Sequence, residues 1–103
     1  MATVVVEMSA AGLSRDGASM PVMAGQDGVA EVMVSGGASS VTAVQARNGW
    51  FVSIFNTDTS QLVWGVAGQA PVAAVGAGFS LGPGERREFG PLKGGDMIAL
   101  IDG

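Results

Sequence analysis

The fold of this chain is decided by residues 50–65, which read WFVSIFNTDTSQLVWG. Apolar and small residues alternate from Trp50 to Phe55, a polar segment covers residues 56–61, and a second apolar run ends at Trp64. Both faces of the first run are largely apolar, which is typical of a strand buried between layers or against a neighbouring subunit. The pattern predicts a strand, a turn and a strand that form a buried central hairpin.

Four more strands are predicted before this stretch, over Thr3–Met8, Ser19–Ala24, Val29–Val34 and Val41–Ala46. In the first, alternation places Val4, Val6 and Met8 on one face. In the second, Pro21 restricts the strand to a sheet edge or a strand start. Asn48-Gly49 is the strongest two-residue hairpin signal in the chain, and it predicts that Val41–Ala46 pairs with Trp50–Asn56.

Three further strands are predicted after it: Pro71–Val75, the charged edge strand Glu85–Phe89, and Asp96–Ile101. Turns are predicted between the strands, at Asp16-Gly17, Gln26-Asp27-Gly28, Gly82-Pro83-Gly84-Glu85 (type II) and Lys93-Gly94-Gly95-Asp96. No segment keeps a helical period. We therefore expect one all-β domain over residues 1–103, a small antiparallel β-sandwich or jelly-roll-like barrel of seven to nine short strands. Residues 1–8 are a candidate N-terminal arm that adds to a neighbour's sheet edge.

Composition indicates assembly and argues against several partners. Hydrophobic residues make up 48% of the chain and charged residues 14%, against about 25% charge in a typical domain. A small domain with so little charge keeps apolar surface, which usually marks a contact. The net charge of −4 and the five Lys and Arg residues make nucleic acid a poor partner. The sequence has no secretory signal pattern and no apolar run long enough to span a membrane, so we expect no membrane partner.

The residues leave little room for catalysis. The chain has no His and no Cys, so it lacks the usual nucleophilic triads and the ligands of common zinc, copper and haem sites. The aspartates lie beside Gly or Thr in turn contexts, where they are expected to bind their own backbone. We therefore predict no enzyme activity, no metal and no cofactor; a small β-barrel enzyme that uses carboxylates is the weakest alternative.

Eight residues are the candidate core or interface positions. Glu85–Glu88 is expected to be a solvated edge with ion pairs, the alternative being an anion or paired-carboxylate site. The aromatic residues of the opening stretch are expected to fill a core or an interface, the alternative being a platform for sugars. The candidate set is Val4, Val6, Trp50, Phe51, Phe55, Trp64, Arg86 and Arg87.

The second half of the chain resembles small accessory virion proteins of tailed bacteriophages. The resemblance is carried by the order of six pieces: Phe51–Thr57, Leu62–Gly68, Ala70–Ala73, Leu81–Glu85, Phe89 and Gly95–Ile101. It implies a head-decoration, minor capsid or tail-associated protein that is not an enzyme. The implied partner is the major capsid protein or another virion protein, and the implied location is the virion, after synthesis in the cytoplasm of the bacterial host.

The leading hypothesis is therefore a structural virion component that binds the particle lattice as a homo-oligomer, with a trimer favoured, because a cyclic arrangement would bury the surplus apolar surface. The alternative is a carbohydrate- or surface-binding β-module, for example on a phage tail or fibre, with Trp50 or Trp64 exposed.

Overall fold

Ten β-strands are seen in the computed structural model, which describes residues 1–9, 11–13, 19–23 and 29–103, with side chains in 1–9 and 29–103. This part of the chain contains no helix. The strands are β1 Thr3–Ser9, β2 Ala11–Leu13, β3 Ser19–Met23, β4 Val29–Val34, β5 Ser40–Val41, β6 Phe51–Asn56, β7 Val63–Gly68, β8 Phe79–Leu81, β9 Arg86–Phe89 and β10 Met97–Asp102.

Eight of the strands form two antiparallel sheets around one core. The first sheet has the order β4-β1-β6-β9 and the second the order β5-β10-β7-β8, while β2 and β3 pair separately. The predicted small antiparallel sandwich is confirmed, and the eight strands of its two sheets lie within the predicted seven to nine, with β2 and β3 in addition. The strand predicted over Ser19–Ala24 is β3, and the predicted turns at Asp16-Gly17 and Gln26-Asp27-Gly28 lie outside the described residues.

The core is built from alternate residues of the facing sheets. The first sheet contributes Val4, Val6 and Met8 from β1, as predicted, all with no exposed surface. Among the described residues, the other large apolar side chains with no exposed surface are Val52, Ile54, Val63, Leu81, Ile98 and Leu100. Each large apolar side chain taken out of water contributes about 1.5–3 kcal/mol to folding, so these two facing rows supply the main driving force.

β1 is an internal strand of the first sheet. It pairs with β4 on one side and with β6 on the other, over nearly its whole length. Both of its hydrogen-bonding edges are therefore occupied within the chain. Residues 3–8 of the candidate arm therefore belong to a central strand rather than to an arm with a free edge.

The predicted hairpin between the two halves of residues 50–65 is wrong, because β6 and β7 lie in different sheets. Residues 57–62 cross from one sheet to the other. The side chain of Asn56, fully buried, organises this crossover. Its amide donates to the carbonyls of Gln61 (2.8 Å) and Leu81 (3.1 Å), and its Oδ1 accepts from the backbone N–H of Asp58 (3.0 Å). A polar turn bound in this way directs the chain across the core instead of back along β6.

The predicted pairing of Val41–Ala46 with Trp50–Asn56 is also wrong. Only Ser40–Val41 is a regular strand, and it pairs with β10. The rest of the segment follows β10 irregularly, since the N–H of Thr42 donates to the carbonyl of Ile98 while the Thr42 hydroxyl accepts from the N–H of Ile98. Asn48-Gly49 does make a tight turn, with the N–H of Trp50 bound to the carbonyl of Arg47 and a φ of 85° at Gly49. That turn leads from one sheet to the other and makes no hairpin.

Local predictions in the last third of the chain are largely confirmed. The N–H of Glu85 donates to the carbonyl of Gly82 and Gly84 has φ 72°, as a type II turn with Pro83 at its second position requires. The turn at Lys93–Asp96 is closed in the same way, β9 is a charged edge strand, and β10 ends the fold. The strand predicted over Pro71–Val75 is instead part of the loop between β7 and β8, where small residues offer few side chains to pack on a sheet.

Candidate interaction surface

The outer face of the first sheet carries an apolar stripe that crosses three strands. Val5 of β1 lies directly opposite Val32 of β4 on one side and Phe55 of β6 on the other. Side chains opposite one another on paired strands are about 5 Å apart and touch. Val32 is 66% exposed, and Val34, the next outward residue of β4, is 52% exposed. We call Val5, Val32, Val34 and Phe55 the valine stripe.

The local sequence of β4 explains why its valines face water. The inner residues of β4 are Met33 and Glu31, which lie opposite Val4 and Val6 of β1. The Glu31 carboxylate accepts hydrogen bonds from the backbone N–H groups of Ala43 (2.8 Å) and Val44 (3.0 Å). Because the single charge of the strand is bound on the inner side, strand alternation turns Val32 and Val34 outward.

Arg86 closes the stripe at the other edge of the sheet. Its guanidinium carbon lies 5.0 Å from the centroid of the Phe55 ring, and Nη1 donates to the hydroxyl of Ser53 at 3.0 Å. An arginine over an aromatic face at this distance is a cation–π contact. The stripe is therefore uncharged along its length and positive at one end.

Arg87 has a different role from its neighbour. It lies on the opposite face of β9, where its Nη2 donates to the carbonyl of Ser80 of β8 at 3.3 Å. Beside it the rings of Phe79 and Phe89 are 5.4 Å apart. These contacts join the two sheets along one side of the sandwich. Among the described residues no side chain of Glu85–Glu88 forms an ion pair, so the ion pairs expected on this edge are not seen there.

The predicted aromatic positions do not form one platform. Trp50 is buried in the core at 8% exposure, with the guanidinium of Arg47 5.5 Å from its ring. Phe51 and Phe55 lie on the outer face of the first sheet. Trp64 lies on the outer face of the second sheet, opposite Ile101, and is partly exposed. The structure thus places one predicted aromatic in the core, two on one outer face and one on the other.

A second exposed apolar segment lies in the β7–β8 loop. Val72 is 77% exposed and Val75 is 61% exposed. Between them Ala73 is buried, and its N–H donates to the hydroxyl of Ser39 at 2.9 Å. The loop is therefore held to the chain just before β5 while its two valines face solvent.

Two carboxylates have lowered pKa values. Backbone N–H groups of Ser60 and Gln61 donate to Asp58, and these bonds hold the pKa of Asp58 below its ordinary value. A hydrogen bond from the Ser35 hydroxyl lowers the pKa of Asp102. The Met1 ammonium, whose nitrogen lies 2.9 Å from Asp102 Oδ2, lowers it further. Asp58 therefore binds the backbone of its own turn, as expected of the aspartates. Asp102, at the end of β10, instead binds a distant side chain and the Met1 ammonium.

Comparisons with models of known protein families, with curated proteins and with solved structures find no match to this chain. In the described part of the chain, no group of three or more His, Cys, Asp or Glu side chains is placed to hold a metal ion. No helix long and apolar enough to cross a membrane occurs among the described residues.

Sequence reasoning found Phe55 and Arg86 but missed Val32 and Val34. The pattern Val-Ala-Glu-Val-Met-Val of β4 predicts a strand and does not show which face is solvated, since a glutamate on one face normally marks the exposed side. The position of Glu31 could be recognised only once its backbone partners at residues 43 and 44 were known.

Proposed function

We propose that this chain is a structural virion component of a tailed bacteriophage, which binds the particle lattice as a homo-oligomer and catalyses no reaction. The observation that carries the proposal is the valine stripe. Large contiguous apolar patches on a soluble protein often mark a contact, and here Val32 and Val34 are 66% and 52% exposed beside Val5 and Phe55.

The chemistry of this surface supports a protein partner. The centre of a protein interface is depleted in charge and enriched in aromatic residues and arginine. The stripe has an uncharged centre, one phenylalanine and an arginine at its end. The order of sequence pieces in residues 50–103, which resembles accessory virion proteins, supplies the class of partner: the major capsid protein or another virion protein.

The test is recovery of the chain with purified phage particles. Copies per particle are counted by quantitative mass spectrometry, and particles are labelled for electron microscopy with an antibody against the chain. We expect a fixed ratio to the major capsid protein and label on the particle surface. Val32→Lys is expected to lower the copy number at least about tenfold, the loss that follows from about 1.4 kcal/mol of binding. Absence of the chain from particles refutes the proposal.

A second candidate, a carbohydrate- or surface-binding module, is favoured by one observation. Trp64 is partly exposed on the outer face of the second sheet, and aromatic rings with one free face can stack on apolar ligand faces. A Trp50→Phe variant leaves Trp64 as the one tryptophan, so its fluorescence reports on that face alone. Saturable quenching by a glycan supports the module, and an unchanged signal across a glycan array counts against it.

A further inference from the structure

β4 presents a free hydrogen-bonding edge. It is the outermost strand of the first sheet, and among the described strands only β1 pairs with it. The N–H of Ser35 donates to the carbonyl of Ala2 at 2.9 Å, which continues the β1–β4 ladder. Because bonding direction alternates along an antiparallel strand, Met33 and Glu31 bond toward β1, and the backbone groups of Ala30, Val32 and Val34 point to the free side.

This edge carries little of the usual protection. Natural edge strands are commonly blocked by lysines, prolines, bulges or inward-pointing charges, and β9, the opposite edge of the same sheet, carries Arg86, Arg87 and Glu88. β4 carries no lysine or proline. Its one charge, Glu31, points inward, but its carboxylate is already bound to the backbone of the segment that follows β5. The three outward residues are exposed, so a further strand can reach their backbone.

We infer that the partner of this edge is β4 of a second copy of the chain, paired antiparallel about a two-fold axis. The register that uses all three outward residues places Val32 opposite Val32 on the axis and Ala30 opposite Val34. Each such pair exchanges two backbone hydrogen bonds. A two-fold contact requires a surface that fits itself, and this one does, since Ala and Val meet Ala and Val.

Charge does not block a second copy at this edge. The chain has a net charge of −4, so two copies repel each other overall. Across this edge no charged side chain faces its symmetry mate. Pairing also makes the valine stripe continuous, because Phe55, Val5 and Val32 of one copy lead across the axis to the same three residues of the other. The inference rests on the self-association in the proposed function. It specifies that the copies associate through the β4 edge, and that their symmetry is two-fold rather than three-fold.

The test is mass in solution, measured by size-exclusion chromatography with light scattering over a range of concentrations. The unaltered chain is expected at twice the mass of one chain. Val32→Lys and Val32→Glu are each expected to run as monomers, with dissociation constants weakened at least about tenfold. Val72→Lys is the matched control, because it makes the same substitution at a valine that is 77% exposed in the β7–β8 loop, and it is expected to remain a dimer. Circular dichroism checks that each variant is folded.

Mixing the two charged variants identifies the register. Lysine and glutamate then face each other on the axis, so the mixture is expected to regain the mass of a dimer, while either variant alone does not. Hydrogen exchange is expected to show slow exchange of the Val32 amide in the dimer, and faster exchange on dilution.

The outcomes separate this inference from the proposed function. If the chain is a trimer, or a dimer that Val32→Lys leaves intact, pairing through the β4 edge is refuted while self-association still holds. If the chain is a monomer at every concentration, pairing through the β4 edge is refuted, and so is the self-association in the proposed function. A monomer whose Val32 amide becomes protected only when particles are added shows that a strand of a virion protein occupies the edge, and it also overturns the second copy.

Discussion

Replacement of Asn56 tests the reason that β6 and β7 lie in different sheets. In Asn56→Ala the carbonyls of Leu81 and Gln61 and the N–H of Asp58 all lose a side-chain partner. The Leu81 bond is buried, and an unsatisfied buried group costs about 2 kcal/mol; each of the two partly buried bonds is worth about 1 kcal/mol. We therefore expect a loss of about 4 kcal/mol, a large share of the 5–15 kcal/mol that is typical of domain stability.

Asn56→Asp tests the same three hydrogen bonds with almost no change in the shape of the side chain. The carboxylate keeps the acceptor for the Asp58 N–H but turns an oxygen toward two carbonyls in a fully buried position. Burial and these carbonyls disfavour the charged form, so the folded-state pKa is raised above the unfolded value of about 3.9. The destabilisation is then full above the raised pKa and declines as pH falls toward the unfolded value.

The assay is urea unfolding followed by tryptophan fluorescence at about pH 7 and about pH 4.5, on either side of the expected titration. Asn48→Asp is the control, since it makes the same chemical change at an exposed turn residue, where surface substitutions usually stay within about 0.5 kcal/mol. The reasoning is refuted if Asn56→Asp costs no more than Asn48→Asp, or if its cost does not decline on acidification.

Four further predictions follow from individual contacts. Gly65→Ala places a Cβ 2.5 Å from the Phe79 ring and 2.8 Å from Leu100, so we expect a loss of about 1–3 kcal/mol in urea unfolding; Gly68→Ala, in the same strand with no atom within 4 Å, should cost less, and equal costs contradict the packing. Glu31→Gln weakens the bonds from the Ala43 and Val44 amides, so we expect a loss of stability of about 1–2 kcal/mol and faster hydrogen exchange of those two amides. Glu88→Gln on the exposed edge should change neither the stability nor the exchange. Asp58 and Asp102 have lowered pKa values, so their contribution to folding stability is complete above about pH 4 and is lost as pH falls further. Asp58→Asn should therefore reduce the fall of the urea unfolding midpoint at acid pH, and an unchanged fall would contradict the bonds from Ser60 and Gln61 to Asp58. Trp50→Ala removes a core residue and should cost about 3–5 kcal/mol in urea unfolding, whereas Trp64→Ala on an outer face should cost less than half as much; the reverse order would contradict their placement.

Strand positions could be predicted because period-two alternation is a local signal. β1, β4, β6 and β10 were all found, because each alternates or runs apolar between turn residues. Turns were found where glycine or proline chemistry specifies them, as at Gly82–Glu85. These features depend on neighbours in sequence, so the sequence contains them.

Strand pairing could not be predicted, because it depends on residues distant in sequence. β6 is apolar on both faces, which fits a hairpin and equally fits a strand between β1 and β9. Asn56 decides between them through its bond to Leu81, 25 residues away. The exposed valines of β4 were missed for the same reason, since the bonds that hold Glu31 inward come from residues 12 and 13 positions later.

The positions of three bound charges explain how a sandwich this apolar keeps a defined shape while leaving the valine stripe uncharged. Glu31 links β4 to the segment after β5 on one side of the sandwich, and Arg87 links β9 to β8 on the other. Each of these bonds connects parts of the chain that are not paired as strands. A charged group that binds backbone atoms makes a stronger hydrogen bond than a neutral one. With Glu31 and Arg87 bound at the sides, and Arg86 held over Phe55, the rest of the valine stripe carries no charge. A surface without charge is repelled by neither an acidic nor a basic partner and is stabilised mainly by burial. The bonds that hold the two sheets together at their sides are therefore also the ones that leave the valine stripe without charge.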